Sequence, residues 1–84
     1  MNARDWLAVV SIVTAGFTIA LGSIGPALGE GRALSQALDA IARQPDSAPA
    51  ITRTLFVGLA MVESTAIYCL VVALILLFAN PLLP

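Results

Sequence analysis

The chain has 84 residues, of which 60% are hydrophobic and 11% charged, whereas a soluble domain carries about a quarter charged residues. At a mean hydropathy of +0.98 so short a chain has too little polar surface to wrap a core, and a membrane is the solvent its composition fits. A net charge of −1, with four Arg, no Lys, no His and one Cys, excludes a nucleic-acid surface and an intrachain disulfide, and leaves little material for a transition-metal site.

Nothing ionisable lies between Asp5 and Glu30. The run Trp6 to Gly29 is 24 residues long, about 36 Å as a helix, against a hydrocarbon core of about 30 Å. A cleaved signal peptide is the competing reading, because Arg4 precedes the run and small residues close it near Ala27 to Gly29. Signal h-regions are usually only about 7 to 15 residues long, and the chain soon turns apolar again, so a transmembrane helix is the reading adopted. Small residues are dense along it: Gly16, Ala20, Gly22, Ser23, Gly25, Ala27, Gly29 and Gly31. Such residues let helix backbones approach closely in lipid, and their density points to many copies packed about a tight axis.

The segment Glu30 to Arg53 gathers most of the charge, in Arg32, Asp39, Arg43, Asp46 and Arg53. Ala33, Leu34, Ala37, Leu38 and Ile41 keep helical spacing, so helix 1 is expected over about 5–42. Pro45 cannot continue a helix and disfavours helical geometry at Gln44. Asp46 and Ser47 suit a turn or an N-cap, and Pro49 suits a first helical turn. A polar loop over about 43–47 follows, then helix 2 over about 48–79. Arg32, Arg43 and Arg53 lie toward the loop and only Arg4 at the other end, which places the loop in the cytoplasm. The expected fold is an all-α membrane protein, a hairpin of two transmembrane helices, with Cys69 as plain packing.

From Thr54 onward the one ionisable charge is Glu63, about 13 Å into the membrane if counted from Thr54. A carboxyl at that depth costs several kcal/mol, about 3 on insertion scales, and marks function by default; the competing reading is a neutral Glu that hydrogen-bonds a neighbouring helix. The midpoint of positions 30 and 63 is 46.5, inside the proposed turn, so a hairpin sets Glu30 and Glu63 level. Ser64, Thr65, Tyr68 and the backbone carbonyl of Met61 add oxygens nearby. Two carboxyls in one low-dielectric site cannot both be ionised cheaply, so the site holds a proton or shares a cation. The competing readings are an interfacial charge beside Arg32 for Glu30, and back-bonding to the helix for Ser64 and Thr65.

The small residues ahead of Glu30, the Arg43-Gln44-Pro45-Asp46 turn, the run Glu63-Ser64-Thr65-Ala66-Ile67-Tyr68 and the terminal Leu77-Phe78-Ala79-Asn80-Pro81 together resemble the c subunit of rotary ATP synthases. The resemblance covers nearly the whole chain. It implies a homo-oligomeric ring of hairpins in a bacterial inner membrane, with Glu63 as the ion carrier. It further implies a loop of Arg43, Gln44, Pro45 and Asp46 touching central-stalk subunits of a soluble head, and an a subunit supplying ion half-channels. Ser23, Gly25, Ala27, Gly29 and Gly31 would pack the first helix inside the ring, although the family usually has Gly at the positions of Ser23 and Ala27. Glu30 also departs from the common pattern, and the pair with Glu63 resembles the two-carboxylate variant of some sodium-coupled and N-type rotary ATPases.

The reading that follows is a non-catalytic rotor subunit without a cofactor, carrying H⁺ by reversible protonation of Glu63. Na⁺ held at Glu63 and Glu30 is the alternative ion. A passive membrane pore or a structural membrane peptide is the alternative class, and neither needs a mid-membrane carboxyl matched in depth by a second. No set of nucleophile, base and oxyanion donors can be assembled from this chain, so ATP chemistry belongs to other subunits.

Overall fold

Asn2 starts the first helix. Its side-chain oxygen accepts from the Asp5 backbone N–H at 2.9 Å, and the Asp5 carboxylate accepts from the Asn2 N–H at 3.3 Å, a reciprocal pair that satisfies amides with no partner inside the helix. The computed structural model describes residues 1–83. They form helix α1 (Ala3–Gly22), helix α2 (Ile24–Arg43), a 3₁₀ turn at Pro45–Ser47 and helix α3 (Ala48–Phe78).

The first arm is interrupted at Ser23, where the hydropathy pattern alone suggests one unbroken helix. Pro26 is the cause: it has no N–H to give to the Gly22 carbonyl, and its ring crowds that carbonyl. The neighbouring bonds survive, with the Ser23 N–H donating to Ile19 O at 3.1 Å and the Ala27 N–H to Ser23 O at 3.0 Å. The arm therefore continues as a single 41-residue span, Ala3–Arg43.

At the other end Pro45 forces Gln44 out of helical geometry, to φ −133° and ψ 73°, the conformation expected before a proline. The Gln44 N–H still closes the last turn on Ala40 O at 2.9 Å, and the Ser47 N–H closes the 3₁₀ turn on Gln44 O at 3.0 Å. Ser47 holds the N-cap position of α3 without a capping side-chain bond, and Pro49 lies in the first turn, where a missing N–H costs nothing.

The two arms lie side by side as a rod of 64 × 16 × 10 Å. Their seam is built from small side chains, with Ser11, Ala15, Ala37 and Ala73 buried. Large apolar groups point the other way: Trp6, Phe17, Phe56 and Phe78 are all more than half exposed. Water does not tolerate so continuous an apolar surface. Both arms, 41 and 34 residues of helix, are long and apolar enough to cross a bilayer, and the chain is a two-helix membrane hairpin.

Candidate functional site

Glu30 sits on α2 and Glu63 on α3, 14 residues before Gln44 and 16 after Ser47. Nearly equal helical stretches on either side of one tight turn bring the two carboxyls level. Their side chains lie within hydrogen-bonding reach of one another. Glu30 is half-buried between the arms and Glu63 is exposed on the flank of α3. Among the described residues the one ion pair is Arg43 Nε to Asp39 Oδ2, 3.2 Å, so Glu30 makes no ion pair with Arg32 and each carboxyl has the other as its charged neighbour. Where water is excluded, a pair so placed is satisfied by one proton held between two oxygens or by one shared cation.

The hydroxyls beside Glu63 are turned onto their own helix. Ser64 Oγ donates to Ala60 O at 2.9 Å and Thr65 Oγ1 donates to Val62 O, which spends both donors and leaves their oxygen lone pairs free. Tyr68 and Met61 remain exposed on α3, at 68% and 71%, and the Met61 carbonyl lies inside a continuous helix where carbonyls have helical partners. The structure thus joins Glu30 to Glu63 across the arms, while Met61, Ser64, Thr65 and Tyr68 stay on α3.

Arg43, Gln44, Pro45 and Asp46 are exposed at the tip. Gly25, Ala27, Gly29 and Gly31 are exposed as well, with open space where Gly25, Gly29 and Gly31 would carry a side chain; Ser23 is half-buried at the break, its hydroxyl donating to Ala20 O at 3.4 Å. Among the described residues no three His, Cys, Asp or Glu side chains gather as a metal site. Two contacts between the arms escape a reading of the sequence. Asn80 Nδ2 donates to Ser11 Oγ at 2.7 Å, and Gly22 packs directly on the Cys69 side chain. Both need the register of the hairpin before they can be seen.

The family model for the c subunit of ATP synthase matches residues 13–76, a stretch that holds both carboxyls, the turn and most of both arms. The chain belongs to the ATP synthase c-subunit family. It is similar to an ATP synthase c subunit of Cereibacter sphaeroides, designated c 2, with 64% identity over 73 residues that cover 87% of this chain and 88% of the relative. Two ATP synthase c subunits of Syntrophotalea carbinolica are similar too. The one designated c 1 is 54% identical over 83% of this chain and 80% of its own length, and the one designated c 2 is 51% identical over 96% and 88%. A c subunit of ATP synthase is a non-catalytic rotor component of that complex, and the resemblance drawn from the turn and the Glu63 segment is established as this family. The two apolar spans of this c subunit make it a membrane protein.

Proposed function

We propose that the c subunit forms a homo-oligomeric ring that carries H⁺ across the membrane by reversible protonation of Glu63, and so couples ion flow to rotation and to ATP synthesis or hydrolysis. The observation that carries this reading is the meeting of Glu30 and Glu63 at one level on opposite arms. A proton held by the pair removes most of the cost of moving a carboxylate past lipid, and the hydroxyl donors of Ser64 and Thr65 are already engaged by Ala60 and Val62. Arg43, Gln44, Pro45 and Asp46 form the contact with the central stalk, supported by their exposure at the tip. The a subunit supplies the ion half-channels. The excess of Arg near the turn supports a cytoplasmic loop, and the named relatives support a bacterial inner membrane. Exposed Gly25, Ala27, Gly29 and Gly31 support close packing of neighbouring copies.

Na⁺ is the second reading, favoured by the free lone pairs of Ser64 and Thr65 and by Tyr68 on the same helix. Glu63→Gln keeps size and hydrogen bonding but removes the titratable group, and is expected to abolish ion-coupled ATP synthesis and pumping in an assembled complex; coupling that survives the substitution defeats the assignment. Carbodiimide modification of Glu63 across pH, with and without Na⁺, separates the ions. Dependence on pH alone supports H⁺, and protection by millimolar Na⁺ near neutral pH replaces it with Na⁺.

A further inference from the structure

At the end of the hairpin away from the turn, Asn80 Nδ2 donates to Ser11 Oγ at 2.7 Å, between residues 69 apart in the chain. Apart from the carboxyl pair, it is the one side-chain hydrogen bond that joins the two arms among the described residues. Ser11 is only 9% exposed. Asn80 is held in a fixed orientation, because its Oδ1 accepts from the Leu82 N–H at 2.9 Å while its Nδ2 reaches Ser11. The Leu82 N–H fixes which way the amide points, because rotating it by half a turn would set Nδ2 against that N–H, two donors face to face.

The rest of the seam between α1 and α3 is made of small apolar contacts such as Ala15 and Ala73. Lipid supplies no hydrophobic drive between helices, so directional bonds and close packing decide how they sit. A slip of one residue moves a side chain by about 1.5 Å and turns it by about 100°, enough to aim Glu63 away from Glu30. Helix α3 runs unbroken to Phe78, and the Ala79 N–H still closes its last turn on Ile75 O at 3.0 Å, so the bond of Asn80, two residues past the helix, anchors the end of a column that reaches back about 22 Å to Glu63. We infer that the Ser11–Asn80 hydrogen bond sets the rotation and register of α3 against α1, which makes Ser11 and Asn80 positioning residues for the Glu30–Glu63 pair.

The inference rests on the reading of Glu63 as ion carrier. Its test is the pH profile of carbodiimide modification of Glu63 in the membrane-embedded complex, for the wild type, Ser11→Ala, Asn80→Ala and the double variant. Ser11→Ala deletes one hydroxyl and leaves the Asn80–Leu82 turn intact. The expected result is a modification rate changed several-fold in Ser11→Ala, a similar change in Asn80→Ala, and no further change in the double variant. A wild-type profile in Ser11→Ala, or effects that add in the double variant, overturns the inference. Loss of the assembled complex in Ser11→Ala overturns it as well, since the contact would then be purely structural. A wild type whose Glu63 is never modified defeats the ion-carrier reading itself and takes this inference with it.

Discussion

Gly22 of α1 and Cys69 of α3 approach so closely that a methyl group on Gly22 would lie 3.0 Å from the Cys69 Cβ and well inside contact with its Sγ. No other glycine has a neighbour within 4 Å of where its side chain would be, so this is the point at which the hairpin itself requires glycine. Overpacking of this kind costs about 1–3 kcal/mol. Gly22→Ala is expected to lower the thermal stability of the assembled complex by that amount, with rescue by Cys69→Gly. Stability unchanged in Gly22→Ala would contradict the contact.

Pro26 leaves the Gly22 carbonyl without its usual helical donor. Pro26→Ala restores the N–H, and the expected outcome is a first arm continuous through Ser23, read as slower amide hydrogen exchange at residues 23–27. Exchange that stays as fast as in the wild type would assign the break to some other cause.

Glu30 and Glu63 face each other from the two arms. Glu30→Gln removes one carboxyl while keeping its size, and is expected to change the rate of carbodiimide modification of Glu63 several-fold. A wild-type rate in Glu30→Gln would mean that Glu30 does not act on Glu63.

Asp39 and Arg43 form an ion pair at 3.2 Å with both side chains largely in solvent, a kind of pair worth about 0–1 kcal/mol. Arg43→Ala is therefore expected to leave hairpin stability nearly unchanged. Both Arg43→Ala and Asp46→Ala should loosen attachment of the soluble head while sparing carbodiimide modification of Glu63. Co-purification of the head at wild-type yield would remove these residues from the stalk contact.

Ala27 is exposed beside glycines that have open space around them. A smaller residue there lets neighbouring backbones pack closer, so Ala27→Gly is expected to favour a ring with fewer protomers. Counting the protomers by high-resolution imaging tests this, and an unchanged number would weigh against it.

The sequence makes the hairpin legible because its signals are local. Pro45 ends one helix by chemistry that needs no tertiary context, and equal counting from the turn sets Glu30 opposite Glu63. The break at Ser23 has a local signal too, in Pro26, but a hydropathy pattern registers apolar side chains and is blind to a missing N–H. Ser11–Asn80 and Gly22–Cys69 carry no such signal. A serine or a cysteine in an apolar stretch is ordinary, and its partner emerges only when two helices are set side by side in one register.

The position of the break has a mechanical meaning. Between the carboxyl pair and the turn both arms are continuous helix, Glu30 to Arg43 on one side and Ala48 to Glu63 on the other, whereas Ser23 lies beyond the pair, toward the termini. The half of the hairpin that faces the turn is an unbroken double column, and the break lies in the opposite half. A sideways force applied at Glu63 therefore reaches Pro45 and Asp46, some 24 Å away, through helix alone, with little loss to bending.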